Sequence, residues 1–206
     1  IKKLNKFKNI NIIGMGGCIL GSKAIYDFLN IKVKKKFIFV KNLNKEKIIK
    51  NDKKNLNLII SKSGNTLETL TNIEIYLKRN DVNLFITENT DNKLKKLAQK
   101  LKSDVVEHNN FIGGRYSVLS EVGMLPAELM GLKSAKFKNY NQLVNNNFFI
   151  NNLVKNVSRT LKLYKSGKYI SIILNYDEKS DSLFKWYQQL IAESLGKKSH
   201  GILPVI

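Results

Sequence analysis

The chain has 206 residues, 43% of them hydrophobic, which is enough for one large domain or two small ones with a real core. Its formal net charge is +20, but only Arg79, Arg115 and Arg159 among its 36 basic residues are arginines, and the lysines are scattered among 26 asparagines. A surface short of arginine forks argues against nucleic acid as a partner, no apolar run approaches the roughly 18 residues of a membrane helix, and the single cysteine, Cys18, fits a reducing, cytoplasmic setting.

In chain order, the first hundred residues alternate between two periods. Ile10 to Gly14 predicts a buried strand and Cys18 to Leu29 a helix. Lys36 to Val40 predicts a strand, Leu43 to Lys50 a short helix, and Leu56 to Ile60 a strand. Then come a helix from Leu67 to Arg79, a strand from Val82 to Thr87, a helix from Asn92 to Leu101 and a strand from Asp104 to Glu107. Strands separated by helices of about ten residues predict an α/β fold, a parallel sheet with helices on both faces.

The pattern changes after His108, and a boundary near residue 110 divides the chain into 1–110 and 111–206. A glycine-bounded loop leads to a helix from Leu119 to Met130, with Pro126 as a kink or break. Asn141 to Tyr164 has helical spacing, Tyr169 to Asn175 reads as a strand, Asp181 to Leu195 as a helix and "GILPVI" as the next strand. This half reads as the opening of a second α/β unit. The chain starts on Ile and stops on an apolar run, so both ends read as cut from a longer protein.

Four stretches carry chemistry. "SKSGNT", Ser61 to Thr66, lies where a strand ends and a helix begins. A helix N-terminus favours an anion, and Ser61, Ser63 and Thr66 add hydroxyls around the permissive Gly64. A phosphate monoester suits such a loop; an ordinary capped turn, with Thr66 as N-cap, is the plainer alternative. "GMGGC", Gly14 to Cys18, ends the first strand and offers a second backbone edge to the same pocket. "GGRYS" sets Arg115 in a glycine loop, where a surface salt bridge is the competing role. In "WYQQLIAESLGK", Gln189 and Glu193 are four apart and share a helical face, with Leu183, Tyr187, Leu190, Ile191 and Leu195 as a core stripe. Glu193 is either a general base or a solvated carboxylate.

Together these stretches closely resemble the phosphoglucose isomerase family, in the family's order and from Gly14 to Lys197. The resemblance implies a sugar-isomerase α/β domain followed by part of a second one. It implies interconversion of glucose 6-phosphate and fructose 6-phosphate through an enediolate, with no metal and no redox cofactor, in a homodimer. It also implies the roles. Ser61, Lys62, Ser63 and Thr66 hold the phosphate; Gly16, Gly17 and Cys18 line the substrate; Gln189 contacts it; Arg115 stabilises the enediolate; and Glu193 moves the proton. Isomerisation of mannose 6-phosphate, or a regulatory module that binds sugar phosphate without chemistry, are the alternatives. Two departures stand out. Cys18 occupies a position where many members have serine, and a thiol is a weaker donor. The family's ring-opening histidine and a further lysine fall after the AES helix, and neither His108 nor His200 matches; both read as ordinary surface or loop histidines.

Overall fold

A computed structural model describes residues 3–43, 54–78 and 80–206. Five strands form one parallel sheet: β1 (Asn9–Gly14), β2 (Lys36–Val40), β3 (Leu56–Ile60), β4 (Val82–Glu88) and β5 (Asp104–His108). Their spatial order is β2-β1-β3-β4-β5. Between them run α1 (Gly17–Leu29), α2 (Leu67–Tyr76) and α3 (Lys93–Lys100). The helix expected over Leu43 to Lys50 lies, beyond Leu43, outside the described residues, as does Arg79.

The central strand β3 is buried at all five positions, as a parallel strand covered on both faces must be. Apolar side chains divide between the two faces. Ile12, Leu58 and Ile86 pack with Ile19, Val122 and Leu129, while Ile13, Ile59 and Phe85 pack with Ile73, Leu94 and Ala98. One polar row interrupts this. Asn11, Asn57 and Asn83 are register partners on β1, β3 and β4. Asn57, fully buried, accepts from Asn11 Nδ2 at 2.8 Å and donates to Asn83 Oδ1 at 2.9 Å, so the amides satisfy one another.

The second half is helical before it returns to strands. A 3₁₀ segment, Gly114–Leu119, leads to α4 (Glu121–Leu129), then α5 (Ser134–Phe137), α6 (Asn141–Val144) and α7 (Asn147–Lys165). Pro126 does not break α4: the helix continues through it to Leu129, and Pro126 itself is buried. The helical spacing from Asn141 is divided at Asn145–Asn146, where the Asn146 side chain accepts from Phe149 N and caps α7. Strand β6 (Ile170–Ile172) pairs in parallel with β7 (Leu203–Val205), with α8 (Asp181–Leu195) between them in sequence. The strand expected over Tyr169 to Asn175 is therefore three residues long, matching its three-residue partner.

Two side-chain expectations are corrected. The α8 stripe is not a buried core: Tyr187 and Leu195 are exposed, and Ser182 alone on this helix is buried. Helix α8 rests on α1 along one side and touches β7 through Gln188, whose amide donates to Pro204 O at 2.8 Å. His108 is not a surface histidine. It ends β5 at 1% exposure, held from both ring nitrogens. No helix among the described residues is long and apolar enough to cross a membrane.

Candidate active site

Strand order makes the crevice. β1 and β3 are neighbours, but β1 leads towards β2 on one side and β3 towards β4 on the other. The loops leaving their carboxyl ends diverge and open a cleft, the usual ligand position in an open α/β sheet. Gly14 is the register partner of Ile60, so the glycine turn and the serine-threonine loop start side by side.

Two helices begin at this opening. Gly16 stands at the N-cap of α1 and Thr66 at that of α2, and neither helix has a side-chain cap. Their first N–H groups and positive dipole ends both favour an anion there. The plainer role for Thr66, capping α2 with its own hydroxyl, is thus not the one adopted. Its Oγ1 lies 3.0 Å from Ser61 Oγ instead. Ser63 is exposed, and its Oγ accepts from Asn65 N at 3.3 Å. Gly64 has φ +65°, and a Cβ there would meet Asn92 Oδ1 at 2.0 Å, so the loop needs glycine at that point. The Lys62 ammonium is committed elsewhere: it pairs with Glu88 at 3.2 Å and donates to Asn110 O at 2.9 Å.

Cys18 joins three segments. Its thiol accepts from the Lys62 backbone N–H, and Gly114 passes close by; a Cβ on Gly114 would lie 3.7 Å from Sγ. Burial pushes the thiol above its ordinary value, against the opposing pull of the Lys62 N–H and ammonium. Gly17 gives the arginine loop its seat. A Cβ there would stand 2.4 Å from Arg115 N, so only a bare backbone admits the loop this close.

Arg115 reaches across from that seat to α8. Its Nε donates to Ser194 Oγ and its Nη1 to Glu193 Oε1, each at 2.8 Å. Its backbone carbonyl accepts from Trp186 Nε1 at 3.1 Å. Glu193, with its side chain about half exposed, also accepts from Gln189 Nε2 at 3.3 Å on Oε2. Gln189 Oε1 is buried without a hydrogen-bond partner, and a Cβ on Gly16 would lie 2.9 Å from Gln189 Nε2. The amide therefore stands over the N-cap of α1. Tyr116 completes the corner: its hydroxyl bonds to Ser194 Oγ at 2.7 Å, and the guanidinium lies 4.8 Å over its ring. The bond to Ser194 and then Arg115 draw the phenol below its ordinary range.

A continuous series of close approaches runs from Lys62 through Cys18, Gly114, Gly17, Arg115 and Glu193 to Gln189 and Gly16. Ser61, Ser63 and Thr66 lie in the Lys62 loop itself. Ser194 and Tyr116 escape a reading of the sequence; their only signal is that they follow Glu193 and Arg115 directly. Chemically, the series offers anion-binding backbone and a carboxylate held beside a guanidinium.

A family model described as "Phosphoglucose isomerase" matches residues 2–201. The chain is 38% identical to a glucose-6-phosphate isomerase of Methanocaldococcus jannaschii, covering 100% of this chain and 55% of that protein. It is 33% identical to a probable glucose-6-phosphate isomerase of Methanococcus maripaludis, covering 97% of this chain and 50% of the relative. The chain spans about half the length of the curated relatives it matches. In fold it is similar to a hypothetical protein from Thermus thermophilus, with TM-score 0.81 at 23% identity over 99% of this chain and 56% of the other. It is also similar to a tagatose-6-phosphate ketose/aldose isomerase from Escherichia coli, with TM-score 0.56 at 14% identity over 99% and 58% of the two chains.

Proposed function

Because the chain belongs to the phosphoglucose isomerase family, we propose that the protein interconverts glucose 6-phosphate and fructose 6-phosphate by moving a proton between C2 and C1. The phosphate sits against the uncapped starts of α1 and α2, with Ser61, Ser63 and Thr66 as hydroxyl donors. The Lys62 side chain, already paired with Glu88, contributes by fixing the loop, and its backbone N–H by engaging Cys18. Cys18 lines the pocket through its backbone. Gln189 positions a substrate hydroxyl with the oxygen that has no protein partner.

Glu193 takes the proton from C2 of the open-chain aldose. The electron pair left behind enters the planar enediolate, whose negative oxygen lies beside the Arg115 guanidinium. Glu193 then returns the proton to C1, while the hydroxyl proton passes from O2 to O1, and the ketose results. A positioned base is worth roughly 10²–10⁴-fold, and anchoring the phosphate supplies orientation. The observation that carries this reading is the Arg115–Glu193 pair, joined through Gly17 and Gln189 to the uncapped start of α1. A module that only binds sugar phosphate has use for the helix starts but not for the pair.

The same reading makes residues 1–110 a first sugar-isomerase domain and 111–206 the connecting helices and the start of a second. It puts the protein in the sugar-phosphate metabolism of the cytoplasm, as a homodimer. The test is Glu193→Gln in the full-length protein, which keeps the shape and loses the base. The variant is expected to bind fructose 6-phosphate and to fail to exchange its C1 proton with solvent deuterium. Exchange at the native rate would remove Glu193 as the base and leave the regulatory module as the better account.

A further inference from the structure

The loop from Asn109 to Ser120 carries Arg115, and it is tied at three heights by one buried side chain. His108, at the end of β5, bonds through Nδ1 to the Glu121 carboxylate at the start of α4. Through Nε2 it bonds to the Ile112 carbonyl, at 3.1 Å, just before Gly113-Gly114-Arg115. The imidazole thus joins the strand before the loop, the middle of the loop and the helix after it. On the other side, the backbone at Gly114 and Arg115 lies tight against Gly17, with no room for a Cβ. A loop pinned at one side and wedged at the other has one position, and that position sets where the guanidinium meets Glu193.

We propose that His108 and Glu121 are positioning residues for Arg115, and that they hold its loop through a single shared proton; this rests on the isomerase reading above. The proton count follows from donors and acceptors. The Ile112 carbonyl can only accept, so Nε2 carries a proton. At Nδ1 the neighbour is a carboxyl group, and a hydrogen bond there needs one proton between the two. The positive end of α4 suits a carboxylate at Glu121, which leaves that proton on the ring. Remove it, and an imidazole lone pair faces a carboxylate with nothing between them. The charged groups on the surrounding elements are few. Glu88 on β4 is the register partner of His108 and is held by Lys62. Glu128 on α4 is turned to Ser134 N. On α3, Lys93, Lys96 and Lys100 are exposed, and Lys95 reaches Asn89. Glu107, the neighbour on the same strand, is exposed. Among the described residues, only Glu121 bonds to the ring as a charged group.

Loosening this tie should therefore lower turnover, while affinity for the sugar phosphate stays nearly level. Glu121→Gln is the decisive variant, because its amide can donate to a neutral Nδ1 and keep the bond without the shared proton. The experiment measures kcat and KM in the full-length protein for wild type, Glu121→Gln, His108→Gln and His108→Phe. Histidine-ring and indole nitrogen resonances are followed in parallel, with Trp186 reporting on the loop through its bond to Arg115 O. His108→Phe is expected to lower kcat by about 10- to 100-fold, as a misplaced catalytic group does. Its KM should stay within about threefold, and His108→Gln, which can still reach Ile112, should recover part of the loss. Glu121→Gln should keep turnover within about threefold of wild type. Native kcat in His108→Phe, or a Trp186 indole resonance that does not move in that variant, overturns the proposal. If the wild type isomerises nothing, the proposed function falls. The ring and indole resonances then still decide this inference: both His108 ring nitrogens should carry a proton in wild type and only Nε2 in Glu121→Gln, and the indole should move in His108→Phe.

Discussion

Arg115 Nη1 donates to Glu193 Oε1 at 2.8 Å across 78 positions of sequence. The base and the cation of the proposed reaction hold each other in place. The pairing is buttressed at each side, by Ser194 on Arg115 Nε and by Gln189 on the second carboxylate oxygen. A carboxylate bonded at both oxygens and a guanidinium bonded at two nitrogens have few orientations left, which is what a proton transfer between adjacent carbons requires.

Arg115→Lys should lower turnover far more than affinity. An ammonium keeps the charge but loses the planar fork that serves Ser194 and Glu193 together. Loss of one oriented donor to a developing oxyanion costs about 10²–10³-fold in kcat. Steady-state kinetics of the full-length protein, with calorimetric binding of fructose 6-phosphate, separates the two effects. Unchanged turnover would take Arg115 out of the mechanism.

Gly17→Ala sets two effects against each other. Within a helix, alanine is favoured over glycine by roughly 0.5–1 kcal/mol. The new Cβ, however, would lie 2.4 Å from Arg115 N and 2.5 Å from Gly114 C, both backbone atoms that cannot rotate away. Overpacking of this kind costs about 1–3 kcal/mol, so the net change should be destabilising. The loop shift should reduce kcat by about 10²-fold as well. Chemical denaturation and turnover should both report it; a stabilised variant with native activity would contradict the seating of the loop on Gly17.

Cys18 gives a stability prediction with a definite sign. Burial raises its thiol above the ordinary value of 9.0, so above that pH the unfolded chain gives up a proton that the folded chain retains. The folded state then binds more protons, and stability falls as pH rises. The contribution is whole below pH 9.0 and is lost through the alkaline range up to the folded value. Cys18→Ser should flatten that part of the profile in urea titrations at increasing pH. A wild-type profile with no alkaline decline relative to the variant would show that the thiol titrates as in the unfolded chain.

Much of this protein is written locally. The switch between strand and helix periods lays out all five strands of the main sheet within a residue or so of their observed ends, and α8 runs over Asp181–Leu195 as its spacing predicts. Those features follow from short-range backbone preference and from alternating burial. The motifs are local too, and so is the resemblance built on them. What the sequence does not carry is adjacency. That β3 lies beside β1, and so brings the serine-threonine loop to the glycine turn, depends on which apolar faces bury best across the whole sheet. His108 shows the same limit: its burial is decided by a carboxylate 13 positions on and a carbonyl 4 positions on, and neither is visible until the loop is closed. Pro126 is tolerated because α4 is held by packing, with Val122, Ala127 and Leu129 buried, and not by its own propensity. Nor does the apolar stripe of α8 reveal its half-exposed state, since periodicity states which face is apolar and only the tertiary fold decides what covers it.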